Sequence, residues 1–128
     1  LIHKEFNMAI SKGLLSIENL WNEDLKKVEI SFKNNANEYG NVFIFYNVMN
    51  GKKLSDITEF TFSSTEQSYW MGVITTKSGE KWSSIADLAC KLNEKDNGKV
   101  TLSFKGNTRH MFVHYPVSTS CSTSLHKI

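Results

Sequence analysis

Apolar and polar residues alternate strictly at Val28, Ile30 and Phe32 against Glu29, Ser31 and Lys33, the period of a strand with one face in a core. The following stretch, Asn34-Asn35-Ala36-Asn37-Glu38-Tyr39-Gly40, is rich in residues that tolerate turn geometry and ends this strand. From Asn41 to Val48 the chain is apolar at both parities for most of its length, which predicts a central strand covered on both sides; membrane contact is the other reading. Asn50-Gly51 comes next and predicts a hairpin reversal, since both residues accept positive φ. Phe60 and Phe62 alternate with Thr61, and Tyr69, Met71 and Val73 alternate with Trp70, Gly72 and Ile74, giving two more strands. A turn at Lys77-Ser78-Gly79-Glu80 returns the chain through Trp82. Val100, Leu102 and Phe104, a Gly106-Asn107 turn and the run His110 to Val117 predict a terminal hairpin.

Two stretches depart from this period. Ile85, Leu88, Ala89 and Leu92 stand at helical spacing behind Ser84 and Asp87, which are placed like a capping box, so one short helix is expected near residues 85–92. Phe6 to Trp21 is mixed; Leu14-Leu15-Ser16-Ile17 reads as a first strand, and residues 1–13 as a loosely attached N-terminal segment. No long linker or internal repeat divides the 128 residues, so the expectation is one all-β domain, an antiparallel β-sandwich of about 7 to 9 strands.

Composition narrows the class. Hydrophobic residues are 40% and charged residues 22%, ordinary for a folded globular chain and too apolar for a disordered one. Fifteen basic and thirteen acidic residues are interspersed, for a net charge of +2, and no clustered basic face argues for nucleic acid. Lys26-Lys27 and Lys52-Lys53, the adjacent basic pairs, read as solvated strand ends, with phosphate or anionic-lipid contact as the alternative. No apolar run reaches the roughly 20 residues of a membrane-spanning helix. Leu1 in place of methionine suggests a processed end or a segment cut from a longer one, and Met8 offers a second start with residues 1–7 a vector remnant. Cys90 and Cys121 are the two cysteines; they can form one bridge, closing a loop of about 30 residues for roughly 3 to 4 kcal/mol, or remain two buried thiols. No sequon for N-glycosylation occurs.

The motifs that carry chemistry are missing. His110 and His114 would bind one metal on a helix, but on a strand they stand about 13 Å apart and read as two solvated residues. Asn93 to Gly98 imitates a calcium loop, yet its third position is Lys95 and its twelfth Phe104, so it reads as a tight turn. Glu23-Asp24 diverge on a strand and make no carboxylate pair of the glycosidase kind. There is no nucleophile elbow, phosphate-binding loop or cysteine-histidine pattern, so no catalytic residue, metal or cofactor is expected. Aromatic residues remain: Trp70 and Trp82 flank the Gly79 turn, and outward rings would stack on sugars or sit in a lipid interface, whereas inward rings would fill the core. Tyr69, Tyr39 and Trp21 are the other candidate binding residues.

Taken in order, Tyr69-Trp70, Gly79-x-x-Trp82-Ser83-Ser84, Cys90-x-Leu92, Asp96-x-Gly98 and Ser118-x-Ser120-Cys121 resemble a family of small β-sandwich domains. That family is known from fungi, bacteria and nematodes, where one set is named for up-regulation in long-lived insulin-signalling mutants. The resemblance runs from about Leu14 to Leu125. It implies that Cys90 and Cys121 are paired and that Tyr69 to Trp82 is a Trp-bearing hairpin. At the level of fold it extends to the aegerolysins, secreted proteins that bind membrane lipids and form the recognition half of pore-forming pairs, although this chain is more basic than they are. The expectation is a secreted, non-enzymatic module that recognises membrane lipid headgroups through exposed aromatics, as a toxin or defence component, with a protein partner or self-association in view. The rival is a carbohydrate-binding module or lectin that uses aromatic stacking platforms.

Overall fold

The computed structural model describes residues 10–34 and 37–128, with all their side chains except those of residues 37–39. The alternating segments become strands: β1 (Ile10–Leu20), β2 (Leu25–Asn34), β3 (Asn37–Val48), β4 (Lys53–Ser63) and β5 (Ser68–Thr76). Shorter ones follow: β6 (Lys81–Ser83), β7 (Leu88–Ala89), β8 (Lys99–Lys105), β9 (His110–His114), β10 (Cys121–Ser124) and β11 (His126–Lys127), with a 3-10 turn at Glu94–Asp96. The all-β sandwich is as expected, but with eleven strands among the described residues, because the short pieces β7, β10 and β11 carry no periodic signal of their own.

One sheet runs β10-β9-β8-β1-β4 and the other β11-β6-β5-β2-β3, with β7 beside β5. All pairings are antiparallel except β1 with β8 at the centre of the first sheet. Residues 10–13, set apart by the sequence reading, pair with β4 from Ile10 opposite Ser63 onward.

Between the sheets, side chains of one parity interdigitate: Leu15 and Ile17 of β1, Val28, Ile30 and Phe32 of β2, Trp70 and Ile74 of β5, and Leu102 and Phe104 of β8 are all buried. Phe60 is the hub of the aromatic part, in contact with Phe32, Phe43, Phe62 and Trp70, and Phe32 lies 4.5 Å from Trp70 and 4.9 Å from Phe60 between ring centroids. Tilted contacts of this kind add about 1 kcal/mol each beyond the area they bury.

Three expectations change. Among the described residues β3 pairs with β2 alone and is an edge strand, so its apolar residues of one parity face solvent instead of a second layer. Asn50-Gly51 does sit in a turn, where the Lys52 N–H donates to the Met49 carbonyl at 3.0 Å, but β3 and β4 then enter opposite sheets. Asn19 of β1 captures the turn: its carbonyl accepts from Gly51 N–H and its N–H donates to Lys52, both at 2.9 Å. The helix near residues 85–92 is not formed. Ile85 has φ 67° and points to solvent, Ser84 Oγ accepts the Gly72 N–H, and Leu88-Ala89 pairs with β5. Edge pairing and a left-handed residue override the local period.

Candidate binding surface

The three tryptophans are inside: Trp70 is 0% exposed, Trp82 7% and Trp21 8%. On β5, Tyr69, Met71 and Val73 take the outer parity, which sends Trp70 inward, where its Nε1–H donates to Tyr115 Oη at 2.8 Å. Tyr115 donates in turn to the Cys90 carbonyl, and burial pushes its hydroxyl well above its ordinary pKa, outweighing the Trp70 bond. Trp82 packs 5.5 Å from Trp21, donates to Glu80 at 3.3 Å and is covered by the Arg109 guanidinium at 4.8 Å. Trp21, Trp70 and Trp82 are therefore withdrawn as stacking or interfacial platforms. Tyr69 is half-buried on the outer face of the second sheet, across from Lys33. The side chain of Tyr39 lies outside the described residues.

An apolar surface exists elsewhere. Because no described residue forms a layer over the outer face of β3, Val42, Ile44 and Tyr46 are 66%, 44% and 65% exposed, and Met49 in the next turn is 57% exposed. Among the described residues Tyr46 is the only exposed Phe, Tyr or Trp. The register continues the strip inward: Val42 lies beside Ser31 and Met71, Ile44 beside Glu29 and Val73, Tyr46 beside Lys27 and Thr75. Lys27 lies 3.6 Å from Glu29 and 6.0 Å from the Tyr46 ring, so its charge is partly matched.

At the Met49 end, three turns are tied together. The Lys77 N–H donates to the Asp24 carbonyl at 2.9 Å, the Ser78 N–H to Glu23 Oε1 at 2.9 Å and the Asn50 N–H to Asp24 Oδ1 at 2.8 Å. Asn19 Nδ2 donates to the Val48 and Glu23 carbonyls from below. A recess of about 240 Å³ opens here between Leu25, Lys26, Met49 and Lys77. Lys26, Lys52 and Lys77 are exposed and make no ion pair among the described residues, whereas the nearby Glu23 and Asp24 each accept a backbone N–H. No protein-family model and no curated protein matches the chain.

The first sheet presents a polar outer face with a groove of about 380 Å³ that includes Ser16, Asp56, Lys99 and His114. Two of its charges are matched, since Lys99 pairs with Asp56 at 2.9 Å and the Asp56 N–H donates to Ser16 Oγ at 2.8 Å, while Lys53 on its rim makes no ion pair among the described residues. His110 and His114 share this face on either side of Phe112, the His114 ring lying parallel to it at 5.7 Å and Lys105 sitting 4.9 Å over it. Both flanks of Phe112 are thus covered by its own neighbours. Burial, aided by Lys105 and Lys53 against Glu18, lowers the His114 pKa. Among the described residues no three His, Cys, Asp or Glu side chains converge on a metal site.

Sequence reasoning looked for outward rings at Trp21, Trp70 and Trp82, which are buried, and did not single out exposed Tyr46. The signal was available: from Tyr39 to Gly51 thirteen consecutive residues carry no charge, a stretch that suits either a doubly covered strand or an unpartnered surface.

Proposed function

We propose that this chain is a secreted, non-enzymatic binding module that docks on a membrane surface through the outer face of β3 and the turn that follows it. The observation that carries the reading is the exposed strip Val42, Ile44, Tyr46 and Met49 lying beside Lys26, Lys52 and Lys77. Apolar side chains gain free energy at the headgroup boundary, and each lysine near an anionic surface adds about 1 kcal/mol that salt screens away. The rigid seating of the Met49 turn on Asn19 and Asp24 supports the reading, since little ordering is lost on contact. A bridge between Cys90 and Cys121 fits an oxidising compartment. No helix among the described residues is long and apolar enough to cross a membrane, so docking is peripheral in this reading.

Co-sedimentation with phosphatidylcholine vesicles, with and without phosphatidylserine, tests it. Binding is expected on the anionic vesicles, weakening as salt rises, and Tyr46→Asp is expected to weaken it by roughly tenfold or more, the loss of about 1.4 kcal/mol of interfacial burial. Absence of binding to any mixture, or binding untouched by Tyr46→Asp, overturns the reading.

Tyr46 also favours a second reading, a glycan-binding module with one stacking platform, because it is the only exposed Phe, Tyr or Trp of the described residues. Glycan-array binding that Tyr46→Ala abolishes, in a protein that ignores vesicles, decides for it.

A further inference from the structure

We propose that the edge of β3 left unpaired among the described residues pairs antiparallel with the same edge of a second copy of this chain, centred on Ile44. The edges of the two sheets are protected unequally. β4 carries exposed Lys53, Asp56 and Glu59, charges by which natural sheets discourage edge pairing, whereas its register irregularity opposite Leu15 and Ile17 and its positive φ at Asp56 have counterparts in β3 outside residues 41–46. β10 and β11 have four and two residues. β3 has twelve, and from Tyr39 through Gly51 it offers no charge and no proline.

What fits that edge is its own sequence. Asn41-Val42-Phe43-Ile44-Phe45-Tyr46-Asn47 reads nearly alike in both directions about Ile44. An antiparallel pair centred there sets Ile44 against its own copy, Phe43 against the second copy's Phe45, and Val42 against the second copy's Tyr46. Each pair falls on one face, so Val42, Ile44 and Tyr46 meet on the outer side, and Phe43 and Phe45 on the inner side. The inner pair gains too, since Phe43 and Phe45 are only half-buried against the core. Lys27 and Glu29, one strand further in, lie 3.6 Å apart and partly offset each other, and no charged residue stands between Asn41 and Asn47, so no like charges oppose across the pair. The positive φ of Asn47, 56°, ends the regular edge just beyond Tyr46. Such an interface is two-fold and closed, joining the second sheets of two copies and laying their apolar strips side by side.

Cysteine scanning with the native bridge intact tests the register without lipid. Opposed Cβ atoms in an antiparallel pair lie about 5 Å apart, within disulfide reach, whereas residues four positions out of register lie about 13 Å apart. Under mild oxidation Ile44→Cys is expected to give a covalent dimer, Val42→Cys alone to give none, and a mixture of Val42→Cys with Tyr46→Cys to give the heterodimer. In sedimentation velocity the unmodified protein is expected to show a concentration-dependent dimer, and Ile44→Lys to halve its mass by opposing two ammonium groups. A monomer at every concentration, or crosslinking at Ile44 no greater than at an Ile128→Cys control, overturns the pairing. A monomer that still binds vesicles overturns the pairing and leaves the membrane reading standing; a dimer that binds none does the reverse.

Discussion

Asp96 shows how much one buried carboxylate organises. It is fully enclosed, and its Oδ1 accepts the Val117 and Ser118 N–H groups at 3.0 and 2.8 Å while Oδ2 accepts Ser118 Oγ at 2.6 Å and the Asn93 N–H at 3.0 Å. Burial disfavours its charge, but the Ser118 hydroxyl and the three backbone donors outweigh burial and hold its pKa below the ordinary carboxylate value. The group therefore stabilises the fold at pH values above its unfolded pKa of about 4 and loses that contribution as pH falls through the lower folded value. Asp96→Asn, which cannot accept at both atoms, is expected to cost about 2 to 4 kcal/mol in urea unfolding at pH 7, and to flatten the acid limb of the stability profile. An unchanged midpoint would refute this. In the sequence Asp96 marked only a turn, because its four donors come from Asn93 and from Val117-Ser118, more than twenty residues away.

Among the elements, the parallel pairing of β1 with β8 is the most exacting. It is bracketed by two glycines: the Gly98 carbonyl accepts the Leu14 N–H at 2.8 Å, and the Gly106 N–H donates to the Leu20 carbonyl at 3.0 Å. A Cβ on Gly98 would stand 2.4 Å from the Lys12 carbonyl oxygen, at φ +71°, and one on Gly106 would stand 2.1 Å from the Trp21 carbonyl oxygen. Gly98→Ala is expected to lower stability by about 3 kcal/mol, a left-handed penalty plus a backbone clash, read as a shift in the urea midpoint. A shift within error would show that β1 yields without cost. Strands were legible where polar residues take the outer parity: Val28 to Phe32 alternate with half-exposed Glu29 and Ser31, and Val100 to Phe104 alternate with Thr101 and Ser103, the latter covered and bonded to Glu18. Asn41 to Val48 was read as central because apolar residues at both parities look alike whether covered or bare. The Ile85 to Leu92 period lost to pairing of Leu88-Ala89 with β5, a competitor that local spacing does not reveal. At Asn50-Gly51 the turn was legible and the sheet change was not, since the capturing partner Asn19 lies thirty residues earlier.

The whole molecule has one stapled flank and one open flank. Cys90, just after β7 of the second sheet, is bridged to Cys121 at the start of β10 of the first, with Cα atoms 6.0 Å apart. Just past it, buried Leu125 carries the chain across to β11, where Lys127 meets Glu80 at 3.0 Å and the Ile128 N–H donates to the Lys81 carbonyl. The Cys90→Ser, Cys121→Ser double variant is expected to lose about 3 to 4 kcal/mol, with reductant having the same effect on the unmodified protein. Insensitivity to reductant would show that β10 and β11 hold that flank unaided. The placement of β1 between β4 and β8 has a consequence in time. Ser103 Oγ donates to Glu18 across eighty-five positions of chain, and β1 cannot complete its pairing with β8 until residue 105 has left the ribosome. Contacts this distant in sequence make for slow folding, and throughout that interval the uncharged stretch from residue 39 to residue 51 is held as an unfinished edge.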